Sequence, residues 1–269
     1  MSAREILKQF IPPLFLDLYR AVTRRAYIWD GVYRTFRDVP VAGPGFNGDA
    51  LVIPTLDDAR QAIRVASGSG VVATEVINEY WMLALLASVA RERSGRLRVL
   101  DFGGGVGIHY VHLRRALADP SALDYHIVEL EWACQAGPRL FPNDGCIHFH
   151  SSLPEALPNL DIVHLSGVLP YVEGYACLLK ALCAYRAEYI LISSLPSGAF
   201  ETFVSAQKNV PGTVMPCWFF NRDEIVDILS NEGYSLAYKS AVEHSYNQDN
   251  LPESHRLDRG RNSVLLFSL

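Results

Sequence analysis

The stretch Arg98-Val99-Leu100-Asp101-Phe102-Gly103-Gly104-Gly105-Val106-Gly107 joins a β-prone apolar run to a carboxylate and then to alternating glycines. Glycine lets the backbone turn at positive φ and approach a ligand with no Cβ in the way. At the carboxyl end of a strand in an open α/β sheet, such a turn is where ligands bind. Two other owners of glycine loops do not fit. A dinucleotide fingerprint in the phase of Gly103 and Gly105 needs glycine or alanine where Ile108 stands, and a P-loop needs Gly-Lys-Ser/Thr. Asp101 instead puts negative charge beside the loop, which suits a cationic ligand. Glu129 ends the next β-prone run, and an acid there accepts hydrogen bonds from both hydroxyls of a ribose.

Other side chains offer acid, base or hydrogen-bonding chemistry. Ser166-Gly167-Val168-Leu169-Pro170-Tyr171 follows a further strand, so Ser166 is placed to bond a ligand and Tyr171 to line a pocket. Histidine titrates near neutrality and serves as a general base. His148, His150 and His164 fall inside predicted strands and read as structural, and His109 packs or caps one turn into the helix after the loop. His244 and His255 lie in the connection Glu243 to Arg261 between the last two strands, which turns at the ligand-binding edge. With Tyr171 they are the catalytic candidates. No paired aspartates follow the fourth strand and no histidines show ligand spacing, so no metal is expected. The five cysteines (Cys134, Cys146, Cys177, Cys183, Cys217) form no C-x-x-C pair.

These residues need a scaffold, and from Leu97 the pattern supplies one. Short β-prone runs near 97–102, 124–129, 146–150, 161–166 and 187–193 alternate with helical segments near 107–118, 131–137, 173–185 and 222–232. Two more strands follow near 234–242 and 262–269. Alternation of this kind predicts a parallel sheet covered on both faces. Residues 1–95 read as a helical and loop elaboration capping the site. In it, 30–54 is loop, Thr55 and Asp58 start a helix that ends at Ser67-Gly68-Ser69-Gly70, and Thr74 opens another that closes near Gly95. Within residues 4–28, Leu14, Leu18, Ala21 and Val22 share a helix face beside Arg20, Arg24 and Arg25. That face docks on its own domain, on a membrane surface or on a partner.

With 24 Lys plus Arg against 29 Asp plus Glu, the net charge of −5 removes the main driver of sequence-independent nucleic-acid binding, and no nucleic-acid partner is expected. The odd cysteine count fits a reducing, cytoplasmic compartment. Apolar runs fall short of the roughly 18 to 20 residues that span a bilayer, and Lys8, Pro12, Pro13 and Asp17 interrupt any signal-peptide core.

The pattern apolar-Leu-Asp-apolar-Gly-x-Gly-x-Gly over Val99 to Gly107 resembles class I S-adenosylmethionine-dependent methyltransferases, and the resemblance covers residues 96–269. It implies a doubly wound, mostly parallel seven-stranded sheet. It also implies that Asp101, Gly103, Gly104, Gly105 and Gly107 flank the amino-acid end of S-adenosylmethionine and that Glu129 holds ribose. Ser151 or Ser152 then faces adenine, where the family often has an acid, and Ser166 bonds the cofactor. Together with Trp29-Asp30-Gly31-Val32-Tyr33, Gly45-Phe46 and Phe219-Phe220-Asn221-Arg222, the chain also resembles bacterial methyltransferases associated with surface-polysaccharide gene clusters. This implies a glycan or small-molecule acceptor, with peripheral contact at the inner membrane face through the N-terminal helix. No Asn-Pro-Pro-Tyr or Asp-Pro-Pro-Tyr motif marks exocyclic amine methylation, which leaves a hydroxyl as the expected acceptor. The rival readings are a non-catalytic cofactor-binding scaffold of the same fold and a nicotinamide-dependent oxidoreductase.

Overall fold

The computed structural model describes residues 27–67, 74–117 and 119–269. The basic amphipathic segment near the N-terminus and the Gly68–Gly70 turn lie outside the described residues.

Seven strands make the main sheet: β2 (Leu97–Phe102), β3 (Leu123–Val128), β4 (Ile147–His150), β5 (Ile162–Ser166), β6 (Tyr189–Leu195), β10 (Ser235–Ser245) and β11 (Arg261–Ser268). They lie in the order β10-β11-β6-β5-β2-β3-β4. Pairing from β4 to β6 is parallel, and β11 runs antiparallel to both of its neighbours. This is the expected doubly wound, mostly parallel seven-stranded architecture. Its strand order reverses between β2 and β5, the point above whose carboxyl ends open α/β sheets bind ligands.

Each face is sealed by apolar stripes of helices. Leu100, Val163, Ile190 and Ile192 pack under α5 (Tyr175–Cys183) and α6 (Arg222–Asn231) through Leu179, Leu182, Ile225 and Leu229. Val99, Tyr125, Ile127 and Ile162 pack under α2 (Thr74–Ser94) and α3 (Ile108–Ala116) through Leu83, Ala87, Tyr110 and Leu113. α4 (Glu131–Leu140) joins β3 to β4. The crossover from β4 to β5, residues 151–161, contains no helix.

The N-terminal part departs from expectation in two places. A helix, α1 (Asp49–Ser67), starts six residues ahead of Thr55 and takes in Pro54. Gly48 accepts the first bonds from Leu51 and Val52, so Pro54 costs only one early rung of the ladder. Residues 30–33, expected as loop, belong to β1 (Trp29–Tyr33). It pairs antiparallel with β8 (Phe203–Gln207), itself antiparallel to β9 (Met215–Asn221), whose end meets the short β7 (Ser197–Gly198). Residues 195–221 thus build a second, four-stranded sheet between β6 and α6, with the N-terminal strand on its edge.

Candidate active site

The loop after β2 sits at this switch point. Gly103, Gly105 and Gly107 have φ of +74°, +59° and +95°. The reason for glycine differs along it. A Cβ on Gly103 would lie 2.4 Å from Val168, one on Gly104 2.5 Å from Asp101, and one on Gly107 2.9 Å from Phe141. These three glycines answer to the protein's own packing. A Cβ on Gly105 would meet nothing within 4 Å, so that side of the loop opens onto free space. α1 flanks the loop, with Leu56 and Ala59 clustered with Val106, Ile108 and Ala133.

Asp101 is fully buried beneath the loop. Tyr125 Oη donates to it over 2.7 Å, His109 Nδ1 lies 2.8 Å from Oδ2 and His164 Nδ1 2.9 Å from Oδ1. Burial opposes its charge, yet the two imidazoles hold the carboxyl well below the usual range. Burial pushes the His164 imidazole down, against the pull of Asp101. A carboxylate only accepts, so both histidines carry hydrogen on Nδ1. Asp101 is therefore the buried support of the loop, with its hydrogen bonds directed inward. Sequence reasoning had no signal for Tyr125, and read His164 correctly as a satisfied core residue.

Glu129, half-buried at the end of β3, accepts from the backbone N–H groups of Leu130 and Gly105. Burial pushes its carboxyl up, the nearby Asp101 adds to this, and the backbone donors counteract it. A carboxylate offers about four lone-pair sites, and two remain for a ligand above Gly105. Ser151 and Ser152 are exposed in the bend after β4, and Ser166 is half-buried at the end of β5.

Tyr171 leaves the β5 loop and enters the second sheet. Its hydroxyl donates to Gln207 Oε1 over 2.9 Å, the oxygen that also accepts from Trp29 Nε1 over 3.2 Å. Its ring meets Phe46 edge-on at 4.7 Å. Burial pushes the phenol far up, so Tyr171 stays a neutral donor and does not act as a base near neutral pH.

The loop predicted between the last strands is shorter at its start, because β10 extends through Ser245. His244 therefore sits on the exposed edge strand with its ring 4.5 Å from Tyr246. His255 is half-buried, its Nδ1 2.9 Å from Ser254 Oγ and its ring 5.0 Å from Phe203. The loop closes on the second sheet: Leu251 and Leu257 join Trp29, Phe203 and Phe219 in one apolar cluster, with Tyr171 packed against it. Asn250 Nδ2 donates to the Trp29 carbonyl over 2.7 Å. Of the catalytic candidates, Tyr171 packs against this cluster, His255 meets it half-buried at Phe203, and His244 meets it from the exposed strand at Tyr246.

No family model matches the sequence, and no curated protein does. Among solved structures, the chain is similar to an uncharacterized protein from Burkholderia thailandensis at 16% identity, with 86% of this chain and 95% of that one covered and a TM-score of 0.51. It is also similar to 1,6-didemethyltoxoflavin-N1-methyltransferase from the same organism, solved with 1,6-didemethyltoxoflavin and S-adenosylhomocysteine, at 15% identity, 86% and 92% coverage and a TM-score of 0.47. A third is an amino pentose methyltransferase from Micromonospora echinaspora, at 15% identity, 78% and 96% coverage and a TM-score of 0.45. At such identities the shared property is the fold, and the first of these carries it. Among the described residues, no helix is long and apolar enough to cross a membrane.

Proposed function

We propose that the protein transfers a methyl group from S-adenosylmethionine to a hydroxyl of a glycan or other small molecule, at a reacting centre that uses no metal. The observation that carries this reading is the opening at Gly105, the one loop glycine whose absent side chain the protein does not fill, with Glu129 directly beside it. When bound, S-adenosylmethionine supplies a methyl group on a sulfonium leaving group.

The chain's own part is to bind and align. Gly103 to Gly107 give the backbone surface, Asp101 fixes that surface from below, and Glu129 holds the ribose hydroxyls. Ser151 and Ser152 flank the adenine end, and Ser166 the sulfur end. Tyr171 borders the acceptor space, and His255 takes the acceptor's proton. Much of the rate then comes from holding the nucleophile about 3 to 3.5 Å from the reacting carbon. A glycan on a lipid carrier would draw the enzyme to the inner membrane face through Arg20, Arg24 and Arg25.

Calorimetry tests the reading. S-adenosylhomocysteine should bind the folded protein more tightly than NAD, and Glu129→Ala should weaken that binding by about 1.5 to 3 kcal/mol. Tighter binding of NAD, or no binding of S-adenosylhomocysteine, would overturn it.

A further inference from the structure

β3 and β4 carry polar side chains on the sheet face where the neighbouring strands present Leu100, Val163 and Ile190. Asp124 and His126 project from β3, His148 and His150 from β4, and the parallel register sets His126 directly opposite His148. The His126 ring stacks on His148 at 4.8 Å and on His150 at 5.2 Å. Because the crossover 151–161 is irregular, no helix of its own covers this face, and the His148 side chain is 41% exposed.

The geometry at Asp124 is unlike that at Asp101. There, each histidine nitrogen has its own carboxylate oxygen. Here, His126 Nε2 at 3.0 Å and His148 Nε2 at 3.3 Å converge on the same oxygen, Oδ1. His126 is only 9% exposed, yet its Nε2 makes no hydrogen bond. The other oxygen, Oδ2, is taken by Arg98 Nε at 2.7 Å and Arg96 at 3.2 Å. His126 Nδ1 lies 3.0 Å from His150 Nε2. A hydrogen on Nδ1 leaves Nε2 with a bare lone pair 3.0 Å from a carboxylate oxygen, an approach that a shared cation would relieve.

Ligand atoms about 2.0 to 2.2 Å from a tetrahedral zinc are separated from one another by about 3.4 Å. The two approaches to Oδ1 are close to that spacing, and all three atoms lie within 4.8 Å of one another. We propose that Asp124 Oδ1, His126 Nε2 and His148 Nε2 bind a divalent transition-metal ion of the zinc class, with water completing the shell. Imidazole and carboxylate are donors such ions accept. His150 fixes the His126 tautomer, the outer-shell role that orients a metal-binding imidazole. Asp124 pairs with Arg98 at the start of β2, at the opposite end of the strand from the glycine loop. The ion therefore ties β3 to the edge strand and takes no part in methyl transfer.

The test uses the full chain, any affinity tag removed, stripped with chelator and titrated with Zn²⁺ by calorimetry and with Co²⁺ by visible absorption. A single equivalent should bind, raise the melting temperature and give cobalt ligand-field bands. His148→Ala, at the exposed ligand, should lose the bands and the thermal shift while keeping its circular dichroism. His150→Ala should weaken binding by about 10- to 100-fold, and His244→Ala should bind as wild type. Absence of binding by folded wild type, or undiminished binding in both His148→Ala and His150→Ala, would overturn the proposal.

Discussion

Asp101 supports the glycine loop from within the protein. The sequence placed a carboxylate beside the glycine loop, and in the fold that carboxylate is spent on His109, His164 and Tyr125. Its carboxyl is held low in the folded state, so its contribution to stability is fully present above the ordinary aspartate pKa of about 3.9 and is lost as pH falls below it. Asp101→Asn leaves three donors facing one oxygen and an amide, and should cost about 1 to 3 kcal/mol at neutral pH. Urea unfolding from pH 7 down to about pH 3 should show the wild type losing this advantage over the variant at the acid end.

The histidines make a second residue-scale test. If His255 takes the acceptor's proton, His255→Ala should lower turnover by about 10²- to 10⁴-fold with cofactor affinity unchanged. His244→Ala should keep wild-type turnover, since that ring lies on the exposed edge strand. Turnover and calorimetry on the same two preparations decide this. The sequence singled out both histidines equally, because a loop boundary three residues too early hid the difference between them.

At the scale of elements, β2 to β6 and α3 to α6 were legible because parallel strands and their crossover helices alternate in period. β1 was not: Asp30-Gly31 inside Trp29–Tyr33 and its position far from any other strand read as loop, and its partner β8 is supplied only by the tertiary fold. The histidine cluster escaped for the same reason. Asp124-x-His126 and His148-x-His150 each show the two-residue period of a strand, and only the register of β3 on β4 converges them. The loop separates two kinds of glycine. Gly105→Ala should cost about 1 to 2 kcal/mol for its left-handed backbone and weaken S-adenosylhomocysteine binding by filling the open space. Gly107→Ala should lower the melting temperature more, because its methyl meets Phe141 and Ile147 at the start of α3. Thermal melts and calorimetry of the two variants give both comparisons.

At the scale of the molecule, the second sheet, the loop after β10 and Tyr171 share one apolar cluster centred on Trp29, which is 4% exposed. Trp29→Ala should cost about 3 to 5 kcal/mol. It also removes the packing between the β1 edge and Phe219 and Tyr246. If this assembly forms the acceptor side, the variant should raise KM for the acceptor far more than it changes cofactor affinity, which steady-state kinetics and calorimetry together measure.

The pairing of β1 with β8 also bears on how the chain is made. Trp29 and its hydrogen-bond partner Gln207 are 178 residues apart. At synthesis rates of about 5 to 20 residues per second, the first strand waits roughly 9 to 36 s on the ribosome before its partner exists. Throughout that interval it is an unpaired strand end carrying a tryptophan, and Gly31, at φ of +75°, interrupts it where a long flat edge would invite pairing with another nascent chain.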